Sequence, residues 1–445
     1  MTSLQERITG AILKMIRTRR EASSTAESDS RAPSRSLGPA KVREAQFSDF
    51  HAVAELKQRW GIDADSPENW ERLWRRNPAL EQGSEERPMG WVLEAEGSIV
   101  GYLGNISLLY RYGDRTLCAV TSHGLAVEPG YRAAAISLAA AFFRQGSVDL
   151  YLDTTATPAV GRIAKAFKAD ALPQAEYETA LFWVVRPYAF ARVLMEKLLF
   201  GPVLERIGRL STSFAVRIDK LLNRRWPRES STDLTVHDIA VNQIGDDFQA
   251  LWIEKLNERW QLLADRSPAT LRWHFEIPGD RGSATVLCCR RNGKLHGYAV
   301  IRNDPQPNGL QKSLVADLLA RQDDPEVVRA LLVAAYGHAK RKGSYALEML
   351  GFPASIRRVC LQWHPYSRKY PACPFYYKAA DPVLHKALSD GGAWYASPFD
   401  GDTTLIRPSF ASPFPPFDAS GVQIDSSKNA ASNVPGSKQR GILTL

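Results

Sequence analysis

A repeat limits what this chain can fold into more than any other feature of it. Gly97-Ser-Ile99-Val-Gly101-Tyr102 recurs as Gly293-Lys-Leu295-His-Gly297-Tyr298, each preceded by a Val-Leu pair, Val92-Leu93 and Val286-Leu287. Arg59-Trp60, Ser66-Pro67 and Trp74 match Arg259-Trp260, Ser267-Pro268 and Trp273. Arg144-Gln-Gly146-Ser147-x-x-Leu150 matches Arg341-Lys-Gly343-Ser344-x-x-Leu347, and Pro158-Ala-x-x-Arg162 matches Pro353-Ala-x-x-Arg357. Matches that keep one order and a shared offset of about 200 residues require two tandem copies of one folding unit.

Within a copy the periodicity alternates. In the first, helices over 50–60 and 67–74 lead to strands near 91–93 and 99–109, and then to a strand running into Gly124. A helix to Gln145, a strand over 148–152, a helix over 160–167 and a last strand over 179–185 follow. Each Gly-x-apolar-x-Gly-Tyr reads as a hairpin, with its first Gly in the turn. The expected fold is α/β: two tandem domains, 40–186 and 231–408, each a mixed, mostly antiparallel sheet with flanking helices, joined by a basic helical linker, 187–230. A flexible basic segment, 1–39, precedes them, with Leu4, Ile8, Ile12 and Met15 along one side of a helix; a disordered tail, 409–445, follows.

The net charge of +9 is concentrated in residues 1–41 and 191–228, outside the two domains. In the linker Val203, Ile207, Leu210, Phe214, Ile218 and Leu221 form an apolar stripe beside Arg206, Arg209, Arg217 and Lys220. Burial of that stripe against the neighbouring domains is the first expectation, and weak contact with an anionic membrane the second. No apolar run approaches the ~18–20 residues that a span needs. Five cysteines without a CxxC pair, and no apparent secretory signal, suit a reducing compartment, so the expected location is the cytoplasm.

One stretch carries a ligand signature. From Gly124 to Ser137 a strand meets the turn Pro129-Gly130 and then a helix start, whose free N–H groups and positive dipole end, with the Arg132 charge, suit an anion. Here the sequence resembles the GNAT acyltransferase family, whose pyrophosphate loop, Gln/Arg-x-x-Gly-x-Gly/Ala, follows a strand ending near Val-x-Pro. Val127-Glu128-Pro129 and Arg132-Ala-Ala-Ala135-Ile-Ser137 are the matching residues, with Ala135 and Ser137 in place of Gly and Gly/Ala. The resemblance implies that acetyl-CoA, or another acyl-CoA, lies against Leu125, Ala126, Val127, Arg132, Ala133, Ala134, Ala135, Ile136 and Ser137. It implies acyl transfer to an amine without a metal, a backbone N–H polarising the thioester carbonyl and a base taking the amine's proton. Asp153, ending the next strand, is the preferred acid or base, and Glu128 and His123 flank the cofactor strand as further candidates. Asp400 and Asp402, in the closing segment, are candidates to hold the amine. The family's leaving-group tyrosine falls at about Phe167, which cannot donate a proton.

In the second copy the corresponding helix start reads Asp323-Asp324-Pro325-Glu326, so carboxylates occupy the anion end themselves and only the first copy is expected to bind the coenzyme. The chain has no GxSxG, Walker A, HExxH or GxGxxG motif and no metal-ligand spacing among its histidines. The leading expectation is an acyl-CoA-dependent N-acyltransferase acting on an amine-bearing small molecule or a cell-envelope sugar precursor. The alternatives are a Fem-type aminoacyl-tRNA-dependent transferase, the one reading in which the linker meets nucleic acid, and a non-catalytic GNAT-like binding protein.

Overall fold

The computed structural model describes residues 38–62, 64–81, 87–197, 202–228, 233–258, 261–279, 283–306, 308–369 and 374–406. The expected N-terminal helix and tether, the C-terminal tail and the Arg259-Trp260 motif lie outside them. In the first copy the strands are β1 Lys41–Glu44, β2 Gly90–Ala95, β3 Ser98–Tyr112, β4 Arg115–Val127, β5 Leu150–Asp153, β6 Asp170–Ala171 and β7 Thr179–Val184. In the second they are β8 Leu234–Ile239, β9 Leu262–Ala264, β10 Ala284–Arg291, β11 Lys294–Pro305, β12 Gln311–Ala320, β13 Ala346–Met349, β14 Tyr366–Lys369 and β15 Tyr376–Ala379.

The repeated motifs do the same local work in both halves. The β2–β3 turn holds Glu96 and Gly97 at positive φ, and the β10–β11 turn holds Asn292 and Gly293 likewise, the backbone that a two-residue hairpin turn requires. Ser66 caps the helix Pro67–Trp74 by accepting from the Asn69 N–H, and Ser267 caps Pro268–Phe275 from the Thr270 N–H, each with proline in the first turn.

Two sheets form, in the orders β1-β2-β3-β4-β5-β15-β6, with β9 added to β3, and β14-β7-β13-β12-β11-β10-β8. The pairs β4–β5 and β12–β13 are parallel. The copies have exchanged strands: β7 lies between β13 and β14, and β15 lies between β5 and β6. The boundary expected at residue 186 therefore does not separate self-contained domains, and the described residues from Pro39 onward group as one unit. The physical reason is that Ala180, Leu181, Trp183 and Val184 are all buried, so β7 is apolar on both faces and fits the interior of either sheet. One large core runs through both halves, joining Tyr110 and Leu181 to Val286 and Leu331, while Leu93, Leu138, Phe142 and Tyr151 fill a second cluster in the front half.

In the linker, helices Pro187–Lys197 and Pro202–Asn223 pack together, and Pro202 opens the second, while Gly201 lies outside the described residues. The expectation that the stripe is buried is corrected from Leu210 onward, the side chains of Val203 and Ile207 lying outside the described part. Leu210, Phe214, Ile218 and Leu221 are exposed, because the helix turns its other side inward: Ser213 is buried and the Lys220 ammonium donates to the Val184 carbonyl and the Tyr336 hydroxyl. Among the described residues no helix is long and apolar enough to cross a membrane. Cys118, Cys288, Cys289 and Cys360 are free thiols.

Candidate active site

β4 and β5 pair only where Ala119–Thr121 meets Leu150–Leu152, and then they part. Beyond that point β4 keeps β3 on one side. The Glu128 N–H donates to the Val100 carbonyl at 2.8 Å, so by strand alternation the Val127 N–H faces the opened edge. The β3–β4 register slips where Tyr102 pairs Ala126 and Gly104 pairs His123, leaving an extra residue on β4. Gly124 sits in that bulge with φ +62°, and a Cβ there would fall 2.5 Å from Lys57 Cε.

A buried set of charges closes the inner end of the opening. Lys57, on the helix Phe50–Arg59, donates to Asp65 Oδ2 at 2.8 Å, and its Nζ is 3.0 Å from His123 Nε2. His123 Nε2 is also 3.4 Å from Asp65 Oδ2, and its Nδ1 is 3.2 Å from Asp402 Oδ2. Asp402 Oδ1 accepts from Thr154 at 2.9 Å and Thr155 at 3.3 Å, just past the end of β5. Asn69 donates to Asp65 Oδ1 at 2.7 Å.

The imidazole has two uses for Nε2: neutral, it accepts from Lys57; protonated, it donates to Asp65. Burial and the Lys57 charge pull the His123 pKa down, and hydrogen bonds to Asp402 and Asp65 more than offset them, so the net shift is upward. Asp65 is held well below the usual carboxylate range, because the Lys57 ammonium and the His123 hydrogen bond outweigh its burial. Asp153 lies at the end of β5. Burial, then the Asp402 charge, push its pKa up to about 7, against hydrogen bonds from the Thr155 N–H and the Ser122 hydroxyl. A carboxyl group poised to change protonation near pH 7 can exchange a proton with a reacting amine.

The turn itself is open. A 3₁₀ turn, Pro129–Ala134, feeds the helix Ala135–Arg144, with Arg132, Ala133, Ile136 and Ser137 exposed and Ala134 and Ala135 half-buried. The Arg132 guanidinium lies 5.8 Å from the Trp60 ring centroid. Leu125 and Val127 are half-buried, while Ala126 points into the core beside Tyr102. Glu128 does not join the buried charges; it pairs with Arg59 at 3.0 Å at the surface. Asp400 is also elsewhere, accepting from Tyr110 Oη at 2.9 Å and from the Ser397 N–H at 2.8 Å, so of the two closing carboxylates only Asp402 reaches His123. Phe167 stacks on Phe143. A surface cleft of about 520 Å³ lies at the far end of the helix, beside Trp91, Arg144 and Gln145, away from the turn.

No protein-family model matches the sequence, and no curated protein matches it significantly. Among solved structures, a GCN5-related N-acetyltransferase from Anabaena variabilis aligns with a TM-score of 0.50 at 11% identity, covering 77% of this chain and 73% of its own. A probable N-acyltransferase from Enterococcus faecalis aligns with a TM-score of 0.49 at 8% identity, covering 77% and 73%. The fold is that of the GCN5-related N-acetyltransferases.

Within this GCN5-related fold the two copies differ in how the parted strands are used. β12 and β13 pair only at Ser313–Leu314, and the opening beyond is filled by the chain itself: the Tyr395 hydroxyl donates to the Leu318 carbonyl at 2.9 Å. Asp323 is held by Lys255 at 2.7 Å and by Ser355, and Asp324 caps its helix through the Glu326 N–H. Asp317 faces Val300 as His123 faces Gly104, each partner two residues past the repeated tyrosine. The residue before the capping serine is Asp65 in one copy and Arg266 in the other, and Arg266 Nε is 3.0 Å from Asp317 Oδ2. The same two positions thus face each other in both halves, with the acidic and the basic residue exchanged.

Sequence reasoning named His123 and Asp402, which the fold brings into contact, and Asp153, which feels the Asp402 charge; it missed Lys57, Asp65 and Thr154. Lys57 reads as an ordinary exposed helix charge. Asp65 had a signal, since aligning Ser66-Pro67 with Ser267-Pro268 sets it against Arg266.

Proposed function

We propose that this chain is an acyltransferase that takes its acyl group from acyl-CoA, bound by the front copy, and passes it to the amine of a small molecule. One observation carries the reading: the free edge of β4 ends in an exposed cationic turn, while the matching place in the rear copy is filled by Tyr395 and capped by aspartates. A diphosphate suits the front turn, where the helix start and Arg132 supply positive charge. The Val127 N–H, facing the open edge, is placed to donate to a thioester carbonyl, and it would donate more strongly as that oxygen gains charge in the transition state. Asp153, ionised above pH ~7, would take the proton of the attacking amine, while His123 is held between the carboxylates of Asp65 and Asp402. Asp402, facing His123 and accepting from Thr154 and Thr155, adds a carboxylate of the kind that a protonated amine prefers.

The stacking of Phe167 on Phe143 favours a second reading, donor binding without transfer, since that side chain offers no acid for the leaving thiolate. Calorimetric titration with coenzyme A, on the wild type and Arg132→Glu, tests both. Binding that falls about tenfold or more in the variant supports the donor site. Thiol release from acetyl-CoA with any member of an amine panel then selects transfer, and its absence across the panel selects binding alone. No coenzyme A binding to the wild type overturns both, and tRNA binding in its place would point to the Fem-type alternative.

A further inference from the structure

The described part of the helix Pro202–Asn223 shows its solvent side to nothing. Leu210, Phe214, Ile218, Leu221 and Leu222 are each between 41 and 70% exposed, half of all the large apolar side chains exposed in this way among the described residues. At 100° per residue they share one arc of roughly 120°, and along the axis they run for about 18 Å. A band of that length is too continuous to be a scatter of ordinary surface leucines.

Charge decides what it fits. Arg217 is exposed on the helix beside the band, and Arg224 is exposed just past the helix end. From 208 to 228 the chain carries Arg209, Arg217, Lys220, Arg224, Arg225 and Arg228 against Asp219 alone. Arg225 is paired with Asp219, and Lys220 is turned inward, whereas Arg217 and Arg224 face water beside the leucines. Trp226, half-buried under Lys220 and Arg228, stands at the end of the band. A convex apolar ridge bordered by arginines, with an indole at one end, matches a planar interface that is apolar beneath and anionic at its surface.

We propose that this helix docks the protein on an anionic lipid surface, lying in the headgroup plane with Phe214 and Leu221 inserted and Arg217 and Arg224 on the phosphates. The surface is separate from the front-copy turn, so the proposal does not depend on the acyltransferase reading.

The test is co-sedimentation of the full chain with vesicles of phosphatidylcholine alone and with about 30 mol % phosphatidylglycerol. Binding is expected to the mixed vesicles at least about tenfold above the neutral ones, weakening as salt rises. Phe214→Glu/Leu221→Glu and Arg217→Glu/Arg224→Glu should each lose about tenfold or more of it. Because these side chains are exposed, both variants should keep the wild-type melting temperature. Equal binding to both vesicles, no binding, or full binding by the Phe214/Leu221 variant overturns the proposal. So does a wild-type dimer in light scattering that the Phe214/Leu221 variant splits while vesicles stay unbound, which would assign the face to a second copy.

Discussion

His123 Nδ1 lies 3.2 Å from Asp402 Oδ2, a contact across 279 residues that fastens the last described segment to the strand beside the front opening. Removing Asp402 leaves a buried imidazole that favours its charged form without one of the two carboxylates that sustain it. Asp402→Ala should cost about 3–5 kcal/mol of stability, as breaking one partner of a buried pair does. The His123 titration, followed by NMR, should move to lower pH. An unchanged melting curve would show that the contact holds nothing.

Asp153 gives the pH dependence a sign. Its folded pKa, pushed up to about 7, stands above the value of 3.8 for an unperturbed aspartate. Its stabilising share is therefore full below pH ~4, is lost as the pH climbs through 7, and stays lost above that. Asp153→Asn should melt higher than the wild type at pH 8 and equally at pH 4, by up to ~4 kcal/mol at the upper limit of one pKa unit per 1.36 kcal/mol. In the same variant, acyl transfer should lose the rise through pH 7 that an ionising base imposes on kcat/KM.

Gly124 has little room for change. At φ +62°, with Lys57 Cε 2.5 Å from where a Cβ would stand, Gly124→Ala meets both backbone strain and a clash. A loss of ~1–3 kcal/mol is expected in denaturant titration. Lys57 should be displaced from Asp65 as well, so coenzyme A titration of the variant is expected to show weaker binding.

The exchanged strands predict that the halves need each other. Residues 38–186 expressed alone would expose β7 with no sheet to join and leave β5 without β15. The fragment should show no cooperative melt, and co-expression with 187–406 should restore one. A sharp transition in the front fragment alone would contradict an obligatory exchange.

What could be read from the letters follows from how local each requirement is. The hairpin glycines, the capping serines and the prolines after them answer to backbone geometry within a few residues, so they recur visibly and reveal the duplication. β7 could not be assigned to a sheet, because residues buried on both faces carry no mark of their neighbours. Lys57 looked like a solvated charge, since a helix pattern says nothing about a distant aspartate. The linker stripe had the same periodicity whether covered or bare, and only the inward turn of Ser213 and Lys220 decides it. Carboxylate positions near the closing segment were visible, yet which of Asp400 and Asp402 meets His123 depends on a loop path that spacing does not encode.

The place of β15 between β5 and β6 also bears on how the molecule is made. On the ribosome, β5 emerges about 220 residues before its partner, an interval of roughly 10 to 45 s at ~5–20 residues per second. During that time the nascent front sheet presents a bare edge to the cell, where a neighbouring chain could pair with it. Slow translation should therefore harm the yield of this protein more than that of one whose sheets close in sequence.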